Sequence, residues 1–154
     1  MPSPTLMNKI AFIGGGQMAE AMIGGLLSGL VCSAESMWAA DPIAERRDRL
    51  KSQFGIRVGP SNSEAVAWAD AVVLAVKPQT LPAVLSELGP MLAHALVISI
   101  VAGVTIRTIA EQTGSATRVV RAMPNTPALI REGMTALAPG AGVSDDDVRL
   151  VRTM

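Results

Sequence analysis

Short apolar segments alternate with segments of helical periodicity along this chain. The first apolar run covers Ile10 to Ile13, and the apolar positions then recur at the spacing of an amphipathic helix up to Leu30. Further runs predict strands at Ser36 to Ala40, around Arg57-Val58, at Ala71 to Val76, at Ala95 to Ile100, at Thr117 to Ala122 and at Gly133 to Ala138. Strands that alternate with helices in this way predict a mostly parallel, doubly wound α/β sheet with helices on both faces.

N-terminal capping signals locate the helices between these strands. Pro42 follows Asp41, a residue type that caps helices well, so a helix is predicted over 42–54. The other predicted helices follow a capping residue or a proline turn, and they cover 61–68, 80–88, 105–111 and a segment that begins at 144. We expect residues 1–7 to form a flexible tail and residues 8–154 to form a single domain.

A glycine-rich link joins the first strand to the first helix, with the pattern Gly14-x-Gly16-x-x-Ala19. Gly14 would allow a tight turn, Gly16 would leave space for a pyrophosphate, and Ala19 would let the helix approach the strand closely. The helix N-terminus would offer N–H groups to phosphates. The link therefore predicts a Rossmann-type domain that binds NAD(P), and the alternative is a glycine-rich turn without a ligand.

Composition narrows the class of protein. Hydrophobic residues make up 49% of the 154 residues and charged residues 17%, which suits central strands buried on both faces. The 13 basic and 13 acidic residues balance without a basic run, which argues against nucleic acid and membrane surfaces as partners. Cys32 is the single cysteine, and the sequence has neither a secretory signal pattern nor a metal-ligand spacing, so a cytoplasmic protein is predicted.

Asp41 lies at the end of the second predicted strand, 22 positions after Ala19. An acidic residue at this distance commonly accepts hydrogen bonds from the adenosine ribose, and its charge would repel a 2′-phosphate and favour NAD. The alternative is that Asp41 only caps the following helix. Arg46 and Arg47 come next, and they either form a solvated helix face or reach a 2′-phosphate.

Two further candidate sites follow strands, where ligands bind in open α/β sheets. Lys77-Pro78 ends a strand and could line a cofactor groove, or Lys77 could be merely the first solvated residue after it. Asn125 and Thr126 lie between two prolines, and such stiff polar residues suit the positioning of a nicotinamide or a substrate. A simple proline-rich turn is the alternative.

Four motifs stand in order along the chain: Phe12-Ile13-Gly14-x-Gly16-x-Met18, Ala75-Val76-Lys77-Pro78, Ser99-Ile100-Val101-Ala102-Gly103-Val104-Thr105 and Arg121-Ala122-Met123-Pro124-Asn125-Thr126-Pro127-Ala128. In order and spacing they resemble the pyrroline-5-carboxylate reductase family. The resemblance implies reduction of 1-pyrroline-5-carboxylate to L-proline with NADP(H) or NAD(H). It also implies cofactor contacts at Gly14, Gly15, Gly16, Gln17, Met18, Asp41, Asn62, Val76, Lys77 and Ala102.

Two features depart from that family. A small hydroxyl residue is frequent in the family where this chain has Asp41, so a strict NADPH preference is not expected. Family members also continue into an all-helical domain that forms the dimer and carries most substrate contacts, and these 154 residues lack it. We therefore expect the first part of a longer enzyme or a cut chain, inactive alone. The competing hypotheses are a stand-alone NAD(P)-sensing module and a related imine or β-hydroxyacid reductase.

Overall fold

The computed structural model describes residues 9–124 and 135–154. In this part of the chain, seven strands form one sheet: β1 (Ile10–Ile13), β2 (Met37–Ala40), β3 (Arg57–Gly59), β4 (Ala71–Leu74), β5 (Leu96–Ser99), β6 (Arg118–Pro124) and β7 (Thr135–Pro139). The helices are α1 (Gln17–Ser28), α2 (Ala44–Phe54), α3 (Asn62–Trp68), α4 (Leu81–Leu88), α5 (Ile106–Thr113) and α6 (Asp145–Arg152).

The strand order in the sheet is β3-β2-β1-β4-β5-β6-β7. All neighbouring strands run parallel except β6 and β7, which are antiparallel. The prediction of a mostly parallel, doubly wound sheet is confirmed. Because β1 to β6 run in one direction, their carboxyl ends all lie at the same edge of the sheet, which is called the carboxyl edge below.

Each face of the sheet is covered by helices, which explains why the central strands are apolar without alternation. Every residue of β1, β2, β4 and β5 is buried. On one face the strands contact α3, α4 and α5, with Val66, Leu85 and Ile109 in that core. On the other face they contact α1, α2 and α6, through Ile23, Leu50 and Val151.

Most predicted element positions are confirmed to within a few residues, and one predicted helix cap is wrong. The Ser61 hydroxyl accepts from the Glu64 N–H at the start of α3, and the Thr105 hydroxyl accepts from the Thr108 N–H at the start of α5, as predicted. The helix predicted over 42–54 begins instead at Ala44, with Ile43 at its N-cap. Asp41 does not cap this helix, because it lies two residues before the N-cap, and its carboxylate accepts from the N–H groups of Ile43 and Gly15 and not from an N–H of the helix.

Three predictions fall wholly or partly outside the described residues. They are the flexible tail at 1–7, the site residues Asn125 and Thr126, and the start of the last strand at Gly133. Within the described ranges, no helix has the length and apolar character needed to cross a membrane. Nor do the residues described there include a group of three or more His, Cys, Asp or Glu side chains that could hold a metal ion.

An ion pair attaches α6 to the sheet. Asp147 Oδ1 lies 2.7 Å from Arg118 Nη1 of β6, and the other carboxylate oxygen accepts from the Ser144 N–H at 3.0 Å. The Ser144 hydroxyl accepts in return from the Asp147 N–H, which completes a capping box. Burial by itself raises the pKa of Asp147, but hydrogen bonds from Ser144 and the Arg118 guanidinium together hold this pKa below the ordinary value of 3.8.

Asp147→Asn is expected to lower the free energy of unfolding by about 1–3 kcal/mol at neutral pH, because it removes a charged acceptor shared by a cap and an ion pair. Since the folded-state pKa is lowered, this stabilisation is present above the unfolded-state pKa and is lost as the pH falls through the folded-state value. Urea unfolding should therefore give a difference from wild type that shrinks below about pH 4. Asp145→Asn, an exposed neighbour on the same helix, is the control; an equal loss there would contradict the assignment.

Candidate cofactor site

The turn after β1 accepts only glycine at position 14. Gly14 has φ +101°, a conformation that side chains rarely adopt, and a Cβ there would lie 2.7 Å from the Ala75 carbonyl oxygen. The Gly14 N–H donates to the Ala40 carbonyl at 2.9 Å, and the Ala75 N–H donates to the Ile13 carbonyl at 2.8 Å. The turn is therefore held between the ends of β2 and β4.

Gly15 is closed in by side chains from the β2–α2 link and from α2. Its N–H donates to Asp41 Oδ2 at 2.8 Å. A Cβ at position 15 would lie 2.9 Å from Leu50 Cδ1 and 3.5 Å from the Asp41 side chain. The side of Gly15 that would carry a Cβ therefore faces the interior of the protein.

Gly16 differs from both of these glycines because it faces open space. Apart from Gly16 and its immediate chain neighbours, no atom lies within 4 Å of the position that a Cβ would take there. Gly16 is the N-cap of α1, and its carbonyl accepts from the Glu20 N–H at 3.0 Å. The first N–H groups of a helix have no acceptor within the helix, and the helix dipole is positive at this end. The surface beside Gly16, Gln17 and Met18 is thus open and suited to an anion.

Asp41 is 2% exposed, and its hydrogen bonds connect it to the start of α2. Asp41 Oδ1 accepts from the Ile43 N–H at 2.8 Å. The Arg47 guanidinium donates to the Asp41 backbone carbonyl at 2.8 Å, and Arg46 Nη1 lies 3.5 Å from Asp41 Oδ2. Asp41, Arg46 and Arg47 therefore form one cluster beside the glycine turn, and the prediction that the arginines are only a solvated face is wrong for Arg47.

The remaining predicted contact residues follow neighbouring strands. Val76, Lys77 and Pro78 follow β4, and Ala102 follows β5, so strand pairing brings them to the carboxyl edge beside the glycine turn. Val76 is half-buried, whereas the other three are exposed. The Lys77 carbonyl accepts from the Thr80 N–H at 2.9 Å and so belongs to the turn into α4.

Asn62 begins α3 and contacts another helix. Its side-chain amide donates to Glu87 Oε2 of α4 at 3.2 Å, a contact between two helices that the sequence did not predict. Asn125 and Thr126 follow β6 along the chain but lie outside the described residues. The roles of all these residues in binding remain predictions.

A parallel sheet with a glycine turn at its carboxyl edge, leading into a helix whose N-terminus is open, defines a Rossmann-type α/β domain. The family model described as "NADP oxidoreductase coenzyme F420-dependent" matches residues 9–103, and the chain belongs to this family.

Its similarity is to pyrroline-5-carboxylate reductases, as the motifs predicted. The Pseudomonas aeruginosa enzyme is 47% identical over 137 residues, which cover 88% of this chain and 50% of that protein. The solved structure of a Coxiella burnetii pyrroline-5-carboxylate reductase matches with a TM-score of 0.90 at 36% identity, over 96% of this chain and 54% of that one.

A Plasmodium falciparum pyrroline carboxylate reductase, solved with NADP bound, matches with a TM-score of 0.82 at 31% identity. The match covers 94% of this chain and 53% of that one. The chain spans about half the length of the curated relatives it matches.

Proposed function

We propose that this chain binds NADP(H) or NAD(H) at the glycine turn and forms the cofactor-binding part of a pyrroline-5-carboxylate reductase. Such an enzyme transfers a hydride to 1-pyrroline-5-carboxylate and yields L-proline, the last step of proline biosynthesis. The observation that carries the proposal is the contrast within the turn. Gly14 and Gly15 are closed by protein atoms, whereas the position beside Gly16 is open. The names of the relatives reported above support the choice of substrate.

The residues of the turn fit a dinucleotide. Gly16, Gln17 and Met18 would hold the pyrophosphate through backbone N–H groups, because the first turn of α1 offers donors and the positive end of a dipole. Asn62 and the Asp41 cluster would lie on the adenosine side. Val76, Lys77, Pro78 and Ala102 would lie on the nicotinamide side. When bound, the cofactor supplies the hydride; the chain's own residues bind it and orient it.

The substrate side of the reaction is proposed to depend on residues after β6 and on a further part of the protein. Asn125 and Thr126 remain the candidates for positioning the nicotinamide or the substrate. We also propose that the reductase forms homo-oligomers through a helical portion outside these 154 residues, and that it works in the cytoplasm, where a single free cysteine stays reduced.

Calorimetric titration of the 154-residue chain with NADPH and with NADH tests this proposal. Each cofactor is expected to bind at one site per chain. Nicotinamide mononucleotide is the control, because it has no pyrophosphate bridge and no adenosine, and it should bind at least about a hundredfold more weakly, a loss of about 3 kcal/mol. Absence of binding by either cofactor to the folded chain would contradict the proposal.

A further inference from the structure

The carboxylate of Asp41 is fully engaged within the protein. One oxygen accepts from the Gly15 N–H and the other from the Ile43 N–H, each at 2.8 Å. With an exposed fraction of 2%, the side chain has no surface to present to a ribose. A carboxylate in this arrangement connects two loops that lie 26 residues apart in sequence, the glycine turn and the link from β2 to α2.

This connection fixes the inner side of the glycine turn. The Gly15 N–H is held inward by Asp41, and Leu50 of α2 closes the space on the same side. The inward position of Gly15 leaves Gly16 and the first turn of α1 facing outward. Asp41 thus orients the open surface beside Gly16 through its hydrogen bond with Gly15, without being part of that surface.

The two arginines of this cluster differ in their exposure and in the strength of their contacts with Asp41. Arg47 donates to the Asp41 backbone carbonyl at 2.8 Å and is half-buried, so it belongs to the framework of the loop. The Arg46 side chain is 44% exposed, and its single contact with Asp41 Oδ2 is long, at 3.5 Å. A guanidinium carries five N–H donors in a planar fork that suits phosphate oxygens. Arg46 therefore retains donors that face solvent.

We propose that Asp41 is a positioning residue for the glycine turn and that discrimination at the ribose 2′ position belongs to Arg46. Arg46 lies in the first turn of α2, just beyond the end of β2, where the adenosine ribose lies in domains of this kind. The chain then prefers the 2′-phosphorylated cofactor although an acidic residue ends β2. This inference rests on the proposed function, and it reverses the cofactor preference predicted from Asp41 in the sequence.

The first test compares Arg46→Gln with Lys51→Gln by calorimetry with NADPH and NADH at about 0.15 M salt, where charges farther apart than about 8 Å are screened. Lys51 is the matched control, because it is an exposed cation near the other end of α2. Arg46→Gln should weaken NADPH binding about tenfold or more and change NADH binding little, as expected for one lost charge-assisted hydrogen bond. Equal effects of the two variants would overturn the role of Arg46.

The second test uses Asp41→Asn, whose single amide oxygen can satisfy only one of the two N–H groups. If Asp41 positions the turn, both cofactors bind this variant more weakly. If Asp41 accepts hydrogen bonds from the ribose directly, NADH should bind this variant more weakly and NADPH more tightly. Such opposite changes in affinity would overturn the proposal. Thermal unfolding checks that the variant is folded.

A measurement on the wild-type chain covers the case in which Asp41→Asn does not fold. The Gly15 amide should be protected from hydrogen exchange without any cofactor, because it is hydrogen-bonded and enclosed. Rapid exchange would contradict the proposed hydrogen bond from Gly15 to Asp41 as the contact that positions the turn. If the wild-type chain binds neither cofactor, the proposed function fails. If it binds both but Arg46→Gln leaves their ratio unchanged, only this inference fails.

Discussion

A Gly16→Val chain is expected to keep its fold and to lose dinucleotide binding by about a hundredfold or more. The space beside Gly16 is open, because a Cβ there would have no atom of another part of the chain within 4 Å, so we expect the fold to accept a valine side chain. The same side chain would occupy the space proposed for the pyrophosphate. It would remove contacts equivalent to two charge-assisted hydrogen bonds, or about 3 kcal/mol and more.

Gly14→Val is the matched control for this substitution, because it adds the same side chain two residues earlier. There φ is +101°, and a Cβ would lie 2.7 Å from the Ala75 carbonyl oxygen, so the backbone at the junction of β1 and β4 must shift. We expect this variant to unfold or to melt far below wild type. Gly16→Val should lose no more than about 1 kcal/mol of stability, the typical effect of a poor N-cap residue.

Calorimetry with NADPH and thermal unfolding of both variants give the result. The prediction concerns the separation of the two effects: binding is lost at position 16 and folding is lost at position 14. Undiminished NADPH binding by folded Gly16→Val would mean that the cofactor does not lie on the turn. Unfolding of Gly16→Val would mean that glycine is required at position 16 for folding and not for cofactor binding alone.

The 154-residue chain alone is expected to oxidise NADPH with pyrroline-5-carboxylate at a negligible rate. Hydride transfer requires the imine carbon to be held against the nicotinamide, and such positioning accounts for about 7–11 kcal/mol of barrier lowering in well-oriented reactions. The candidate cofactor site has the carboxyl edge of the sheet on one side. Lys77, Pro78 and Ala102 are exposed at this edge, and no element within the described part of the chain covers them from the opposite side.

Activity should appear when a further part of the enzyme encloses the nicotinamide and the substrate from the opposite side. We suggest a fusion of this chain to the half of the Pseudomonas aeruginosa relative that its match does not cover, assayed by NADPH oxidation and by proline formation. The same fusion carrying Gly16→Val is the control and should be inactive. Turnover by the 154-residue chain at rates typical of enzymes would contradict this prediction, and the catalytic groups would then lie within the chain itself.

The part of the site that follows from local pattern could be predicted from the sequence. Ile10 to Ile13 are apolar and end in glycine, so the strand, the turn and the special conformation of Gly14 were all predictable. Thr105 and Ser61 were recognised as caps because a cap depends on residues three positions apart.

The role of Asp41 could not be predicted in the same way. Its partner Gly15 is 26 residues away in sequence and becomes a neighbour only because β1 and β2 pair in register. Local spacing offered a helix cap, and the general pattern of dinucleotide-binding domains offered a ribose contact. Neither indicated a carboxylate that holds the glycine turn. The contact between Asn62 and Glu87 was missed for the same reason, since it depends on how α3 and α4 pack together.

The central position of β1 has a consequence for how the chain is assembled during synthesis. This strand is made before the other strands, yet it pairs with β2 on one side and with β4 on the other. Both pairs are parallel, so no hairpin can protect the strand as it emerges. One edge of β1 stays open until residue 74 has been added, and its four buried residues are apolar. Slow, non-local pairing of this kind exposes nascent chains to aggregation. The period of synthesis before residue 74 is therefore the one in which we expect β1 to be most exposed to aggregation.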